Sequence, residues 1–197
     1  MKKVLLLLAE GFEIFEASVF IDVIGWNLVD GDGSTELFTC GLKKNVKSTF
    51  NQTIVVDYTI DEVRVADFDA LAIPGGFQEY DFYRDAYDPL FSDLIRAFHE
   101  QNKIITSICT GAFPIAKSGI LDGRKGTTYN MNPVRHETLS AMGVTVVNEP
   151  VVKDGNITTS WNPSTAMEVA FQLLEQLTSV EQAKKIRTLM GFKNALI

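Results

Sequence analysis

The chain has few cysteines and histidines, and it lacks the motifs of the common metal and nucleotide sites. Its 197 residues include two cysteines, Cys40 and Cys109, and two histidines, His99 and His136. It contains no CxxC pair, HExxH motif, acidic metal cluster, GxGxxG motif or P-loop. We therefore expect neither a metal nor a cofactor. Two cysteines in a chain of this length indicate a reducing compartment and argue against a disulfide scaffold.

An excess of positive charge and a long hydrophobic run are also missing. The formal net charge of −7 argues against nucleic acid or an anionic membrane as a partner. The first apolar run, residues 4–9, stops at Glu10-Gly11, too soon for a signal peptide, and is more typical of a buried strand. We therefore expect a cytoplasmic protein. With 46% hydrophobic and 22% charged residues and no apparent linker or repeat, residues 1–197 are predicted to form one domain.

Strand-like and helix-like segments alternate along the chain. Predicted strands cover residues 4–9, 36–39, 53–56, 68–73, 104–108, 127–128 and 144–147, with a hairpin over 150–160. Predicted helices cover residues 16–29, 90–100, 112–117, 133–142, 163–177 and 180–190. This alternation predicts an α/β fold with a parallel sheet and helices on both faces. Ligands bind such sheets at the carboxyl ends of the strands, which points to the loops after Ala9, Ile73 and Ile108.

Cys109 is the strongest candidate for a reactive residue. It follows the short β-branched run of residues 104–108, small residues stand two positions away on either side (Ser107 and Gly111), and a helical pattern then begins. This pattern is typical of a nucleophile elbow, a strained strand-to-helix turn that exposes its side chain. A helix N-terminus beneath a thiol also stabilises the thiolate. The alternative is an inert buried cysteine.

Glu16 is the candidate acid partner of Cys109. It opens the first predicted helix, soon after the strand that ends at Ala9, so its carboxyl can project into the same crevice. A carboxyl buried beside a thiol has a raised pKa and can act as a proton donor and acceptor. The alternative is an ordinary acidic residue in a first helical turn. Asp22, further along the helix, is predicted to be a second buried acid or a structural hydrogen-bonding hub, and we favour the hub.

An oxyanion-binding site is predicted beside Cys109. Gly75 and Gly76 end a buried strand without side chains, so a glycine N–H, together with the N–H of Thr110, can line a pocket. The alternatives are a tight glycine turn and a Thr110 that caps the following helix. His136 either approaches this site or is a solvated helix residue, and no Cys–His dyad is visible.

Taken together, these motifs resemble the ThiJ/PfpI superfamily, which is related to the glutaminase half of class I amidotransferases and includes the parkinsonism-associated deglycase. The similarity covers nearly the whole chain, through residues 9–16, 72–76, 108–112, 116–123 and 154–160. It implies a flavodoxin-like three-layer sandwich with a mostly parallel sheet, usually assembled as a homodimer. It assigns the nucleophile to Cys109, the protonated glutamate to Glu16, the oxyanion amides to Gly76 and Thr110, and a buried acid to Asp22.

The chain departs from several branches of that superfamily. Peptidases of the PfpI type carry histidine directly after the nucleophile, where Thr110 stands, and the His-x-Glu element of amidotransferases is missing from residues 160–163. Other branches place a histidine near residues 128–130. The side chains that could face the pocket here are Tyr129, Asn130 and His136, with Phe12, Phe77 and Trp161 as further candidate walls.

Two functions of different classes follow from this resemblance. The first is a cysteine-dependent enzyme acting on small reactive carbonyl compounds, in which the Cys109 thiolate adds to the substrate and Glu16 transfers the proton. The second is an oxidative-stress sensor or chaperone whose Cys109 becomes oxidised without turnover. A peptidase, amidase or hydratase of the same superfamily is a further alternative. A shared fold does not show which of these functions the chain has.

Overall fold

The computed structural model describes residues 1–192 and has a central sheet with helices on both sides. The strands are β1 (Lys2–Leu8), β2 (Thr35–Gly41), β3 (Asn45–Lys47), β4 (Thr53–Val55), β5 (Tyr58–Thr59), β6 (Ala70–Ile73), β7 (Ile104–Ser107), β8 (Lys125–Gly126), β9 (Thr145–Val146), β10 (Val151–Asp154) and β11 (Ile157–Ser160). The α-helices are α1 (Ile14–Val29), α2 (Phe82–Ala86), α3 (Pro89–Glu100), α4 (Ala112–Lys117), α5 (Pro133–Ala141), α6 (Ala166–Leu177) and α7 (Val180–Leu189). No helix in this described part is long and apolar enough to cross a membrane.

The main sheet has seven strands in the order β10-β11-β7-β6-β1-β2-β5. Every neighbouring pair is parallel except the edge hairpin of β10 and β11, which the sequence predicts from Asp154-Gly155 at its turn. The mostly parallel sheet of the predicted α/β class is therefore confirmed. Two small two-stranded sheets, β3 with β4 and β8 with β9, lie outside it.

The position of β1 inside the sheet explains why its sequence is continuously hydrophobic. Alternate side chains point to opposite faces of a strand, so Val4, Leu6 and Leu8 pack into one core while Leu5 and Leu7 pack into the other. The first core includes buried residues of α1, α6 and α7, and the second includes buried residues of α3 and α4. Two cores on opposite faces of one sheet make the three-layer sandwich, which confirms the predicted fold.

Two predicted strands differ from the structure. Residues 53–55 form a hairpin with β3 outside the main sheet. The strand predicted over 127–128 lies two residues earlier, as β8, and pairs with β9. The Thr127 N–H donates to the Thr159 hydroxyl over 2.9 Å and not to a backbone carbonyl. The backbone pairing of β8 therefore ends before Thr127.

The topology brings three loops together at one edge of the sheet. Strands β7, β6 and β1 are neighbours, and the strand order changes direction between β6 and β1, the position where ligands bind in open α/β sheets. The loops after β1 and β6 are joined directly, because Phe12 and Gly76 form an isolated antiparallel bridge and the Glu13 N–H donates to the Gly75 carbonyl over 2.8 Å. This edge holds the candidate site.

Candidate active site

Cys109 occupies the strained turn that its sequence predicts. Its φ is +57°, in the left-handed region that side-chain-bearing residues rarely adopt, directly after the extended Ile108. A 3₁₀ turn over Cys109–Gly111 then leads into α4. A side chain at Gly111 would lie 2.6 Å from the Ile73 carbonyl oxygen, so the turn requires glycine there. The strand-to-helix geometry of a nucleophile elbow is therefore present at Cys109.

Gly75 lets the chain after β6 pass close to this elbow. A Cβ at Gly75 would lie 2.7 Å from Thr110 Oγ1, 2.8 Å from Thr110 N and 3.0 Å from Cys109 Cβ, and the first two distances are shorter than real side chains tolerate. One of the two clashing atoms, Thr110 N, belongs to the backbone and cannot move without moving the elbow. The elbow and the β6 loop are thus packed backbone to backbone.

We expect Gly75→Ala to displace the elbow. Because the backbone must shift to admit a methyl group, the rate at which iodoacetamide alkylates Cys109 should fall by roughly tenfold or more, with a loss of stability of about 1–3 kcal/mol. The matched control is Gly25→Ala in α1, where a Cβ meets nothing within 4 Å and the helix should gain up to about 1 kcal/mol. Thermal unfolding curves and Cys109 alkylation rates of both variants test this. If both variants have the same unfolding temperature and the same alkylation rate, the elbow and the β6 loop are not closely packed at Gly75.

Glu16 lies beneath the same loop and keeps its proton. Its side chain is fully buried, and its Oε2 accepts a hydrogen bond from the Gly75 N–H over 2.7 Å. Burial, reinforced by the nearby Glu13 carboxylate, raises the pKa of Glu16 to about 8 against the opposing effect of the Gly75 hydrogen bond. Oε1 has no nitrogen or oxygen hydrogen-bond partner among the described residues, and the Glu16 carboxyl hydrogen-bonds with the Cys109 side chain, so Oε1 is the natural position of the proton. Glu16 is a neutral acid at pH 7.

The Cys109 thiol does not follow the prediction of a thiolate stabilised by a helix N-terminus. Burial is the largest effect and raises its pKa, and an ionised Glu16 would raise it further. The Thr110 N–H and hydroxyl oppose this and lower the pKa of the thiol. Since Glu16 stays protonated below pH 8, its Coulomb repulsion is absent at neutral pH. Cys109 and Glu16 therefore titrate as a coupled pair.

The buried Glu16 should make the protein less stable as the pH rises. The unfolded chain ionises this carboxyl near its ordinary pKa of 4.5, whereas the folded protein holds the proton up to about 8. The contribution of Glu16 to the free energy of unfolding therefore falls between those two pH values, by an amount on the order of a few kcal/mol. Outside them this contribution is constant. The isosteric Glu16→Gln should remove this slope, so the variant is expected to exceed the wild type in stability at pH 8 and to match it near pH 4.5. Urea unfolding at both pH values tests this. If the free energies of unfolding of the variant and the wild type differ by the same amount at both pH values, the pKa of Glu16 is not raised.

The predicted oxyanion residues are adjacent but are bonded to each other. The Gly76 N–H donates to Thr110 Oγ1 over 2.9 Å, and this hydroxyl donates to the Gly76 carbonyl, also over 2.9 Å. An oxyanion that binds the Gly76 N–H must therefore displace the Thr110 hydroxyl. Side chains are excluded at Gly76 as well, because a Cβ would lie 2.2 Å from the Phe82 ring.

Cys109 and Glu16 face a cavity of about 300 Å³ that is large enough for a small organic molecule. Its wall combines residues from the loops after β1, β6 and β7 with residues that follow β8 and β11: Glu13, Glu16, Gly76, Phe77, Glu79, Cys109, Thr110, Tyr129, Asn132, Arg135 and Pro163. Of the candidate wall residues, Phe77 and Tyr129 line the cavity.

The other candidate wall residues lie elsewhere. Phe12 is fully buried, and the Asn130 side chain accepts a hydrogen bond from Asn162 over 2.7 Å. His136 Nε2 lies 3.2 Å from the Thr128 carbonyl oxygen, and neither His136 nor Trp161 lines the cavity. Phe12 and Asn130 do not line the cavity either.

The prediction of a buried Asp22 is wrong. Asp22 is exposed and borders a shallow surface groove with Ile21 and Trp26. Glu16, Phe20 and Val23 mark the buried stripe of α1, and the 100° turn per residue carries Asp22 away from that stripe. Asp22 is therefore neither a hub nor part of the site.

Five cavity residues were not expected from the sequence: Glu13, Glu79, Asn132, Arg135 and Pro163. Asn132 is the N-cap of α5, and its side chain accepts from the Val134 N–H over 3.1 Å. The sequence does contain one signal that points to Asn132 and Arg135: a predicted helix begins there, soon after a predicted strand. Within residues 1–192, no group of three or more His, Cys, Asp or Glu side chains could hold a metal ion.

The chain is similar to known proteins in sequence and in fold. The profile of the DJ-1/PfpI family matches residues 2–176. The chain is 30% identical to the protein DJ-1alpha of Drosophila melanogaster, over 96% of this chain and 83% of that protein. It is 32% identical to the deglycase PfpI of Pyrococcus furiosus, over 65% of this chain and 74% of the relative. A solved structure of oxidized Toxoplasma gondii DJ-1 superposes with a TM-score of 0.82 at 26% identity, covering 98% of this chain and 100% of the other.

Proposed function

Because the chain belongs to the DJ-1/PfpI family, we propose that it is a cysteine-dependent enzyme that converts small 2-oxoaldehydes such as methylglyoxal into 2-hydroxy acids. The observation that carries this proposal is the pairing of Cys109, in a strained elbow at the cavity wall, with a buried Glu16 that holds its proton up to about pH 8. A thiol and a neutral carboxylic acid facing one small cavity suit addition to a carbonyl group. The similarity to a protein named as a deglycase is consistent with a carbonyl substrate.

The proposed reaction begins with addition of the Cys109 sulfur to the aldehyde carbon. As the C–S bond forms, the thiol releases its proton to solvent, and the hemithioacetal oxygen takes the proton of Glu16, which leaves Glu16 ionised. The Thr110 N–H, and the Gly76 N–H once the Thr110 hydroxyl is displaced, would hold this oxygen while it is negatively charged.

Glu16 then completes the rearrangement as a proton carrier. The ionised Glu16 removes the proton from the former aldehyde carbon and returns it to the neighbouring carbon, while the hydroxyl proton of the hemithioacetal passes to the former ketone oxygen. This leaves a 2-hydroxy thioester on Cys109. Water hydrolyses the thioester, which restores the Cys109 thiol, and the proton of the new carboxylic acid returns to Glu16. The balance is one 2-oxoaldehyde and one water for each hydroxy acid, with no external oxidant or reductant.

The test is a steady-state assay of purified protein with methylglyoxal, in which lactate is measured as well as aldehyde loss. Lactate should accumulate in proportion to the aldehyde consumed. Loss of aldehyde without lactate would indicate stoichiometric modification of side chains and would rule out the proposed reaction.

The reducing cytoplasm is the location we propose, since both cysteines are free.

Oxidation sensing is the second candidate function. The sulfur of Cys109 lies beside a protonated carboxylic acid that can donate to an oxidised sulfur, and a structure of a related protein is described as oxidized. In this case peroxide would convert Cys109 to a sulfinic acid once per chain. Peptide mass spectrometry after peroxide treatment, in parallel with the methylglyoxal assay, separates the two candidates.

We also propose that the protein is a homodimer that buries the outer surface of α1. Large apolar side chains are exposed there: Phe15, Ile21, Trp26, Leu28 and Val29. Clusters of this kind commonly mark protein interfaces. Sedimentation velocity should give twice the monomer mass, and Trp26→Lys should shift it toward the monomer. A monomeric wild type at micromolar concentration would contradict this proposal.

A further inference from the structure

Arg135 is a cavity residue that the proposed reaction does not use. It belongs to the first turns of α5, is half-buried and lines the Cys109 cavity. One guanidinium nitrogen donates to the Tyr83 hydroxyl over 2.7 Å, and the group lies 5.6 Å and 5.8 Å from the ring centres of Tyr83 and Phe113. These contacts fix the position of the cation.

No carboxylate in the described part of the chain forms an ion pair with Arg135. It is also the only cation among the described residues that line the cavity, where the other charged residues are acidic. Glu16 is neutral at pH 7, and Glu79 is exposed to screening solvent. Burial also raises the pKa of Glu13, which favours its neutral form. A partly desolvated guanidinium without a counter-ion is suited to a planar anionic group.

We propose that Arg135 binds a carboxylate of the substrate, so that the preferred substrates are 2-oxoaldehydes that carry a carboxylate on the chain attached to the ketone. This inference rests on the proposed function and narrows its substrate class. Arg135 forms and breaks no covalent bond: the reaction still adds one water to one 2-oxoaldehyde and gives a 2-hydroxy acid. The cavity of about 300 Å³ leaves room for this longer chain, since a water molecule takes up about 30 Å³ and methylglyoxal has few heavy atoms.

The first experiment compares a charged with an uncharged substrate. The charged probe is 4,5-dioxopentanoate, and its methyl ester is the uncharged probe with the same carbon skeleton. We expect the ratio of kcat/KM for the charged probe to kcat/KM for the ester to fall 10- to 100-fold in Arg135→Gln. Arg135→Lys should lose less, because it keeps the charge but not the two-pronged geometry.

Two further variants separate the site from general charge effects. Tyr83→Phe keeps the guanidinium but removes the bond that holds it, and we expect a fall in the ratio of roughly threefold. Arg64→Gln removes one positive charge from an exposed side chain and should leave the ratio unchanged. An unchanged ratio in Arg135→Gln, or an equal fall in Arg64→Gln, would overturn the proposal.

The second experiment needs no turnover. Cys109 is alkylated with iodoacetate, which is anionic, and with iodoacetamide, which is neutral and of similar size, and labelling is measured by peptide mass spectrometry. The rate ratio of iodoacetate to iodoacetamide should fall about tenfold in Arg135→Gln and stay constant in Arg64→Gln. If this ratio falls while neither aldehyde is converted, the anion site is supported and the proposed function is wrong. If the ratio is constant, the anion site is wrong.

Discussion

Replacing Cys109 with serine is expected to abolish the conversion of 2-oxoaldehydes, with kcat/KM lowered by roughly 10³-fold or more. A serine hydroxyl in the elbow is a far weaker nucleophile than a thiol, and the described cavity wall contains no histidine to activate it. The change removes only the sulfur, so the turn at φ +57° should persist. Steady-state kinetics with methylglyoxal, together with a thermal unfolding curve, test this expectation.

Cys40 provides the matched control. Its thiol is buried in the second core, and burial raises its pKa to about 12, so it is unreactive at neutral pH. Cys40→Ser should therefore keep its catalytic rate, with at most a modest loss of stability. Retained activity in Cys109→Ser, or lost activity in a folded Cys40→Ser, would remove the basis for assigning the chemistry to the elbow.

Glu16→Gln is expected to lower kcat by roughly 10²- to 10³-fold, the range typical of a lost general acid–base group. Glutamine has nearly the same shape, and its carbonyl oxygen can still accept the hydrogen bond from the Gly75 N–H, so the loop should keep its position. Glutamine cannot accept and return a proton, which is the step that the rearrangement requires. The variant should therefore bind substrate and form the thiol adduct but fail to complete turnover.

The alkylation of Cys109 in the same variant distinguishes proton transfer from simple disruption. Iodoacetamide should still label Cys109 in Glu16→Gln, since labelling needs no proton returned to carbon. Above pH 8, where the wild-type Glu16 ionises and raises the pKa of the thiol, the variant should be labelled faster than the wild type. A variant with full kcat would show that Glu16 does not carry the proton, and a variant that cannot be labelled would show that Glu16 serves the structure of the elbow instead.

The parts of the site that local sequence determines are present in the structure as predicted. The elbow depends on residues within a few positions of Cys109, namely a buried strand, Gly111 and a following helix, and all are visible in one short segment. Glu16 follows from the phase of α1, whose buried stripe begins with it. The continuous apolar β1 predicts a strand covered on both faces, and the structure has one.

The misjudged parts depend on long-range packing. Asp22 stands between Ile21, which is exposed, and Val23, which is buried, so hydrophobic neighbours in the sequence did not show which side of α1 carries Asp22. The raised pKa of the Cys109 thiol comes from burial by several loops, which outweighs the short helix beneath it. Arg135 reaches the cavity because the chain after β8 folds back over the elbow, and no periodicity in residues 127–132 encodes that path.

The number of lactate molecules formed per protein chain tests the central claim most directly. Purified wild-type protein is incubated with excess methylglyoxal, lactate is measured by proton NMR, and the mass of Cys109 peptides is recorded at the end. An enzyme with Cys109 as its nucleophile should form many equivalents of lactate per chain and retain an unoxidised Cys109. Less than one equivalent per chain, with Cys109 modified, would contradict the enzymatic account.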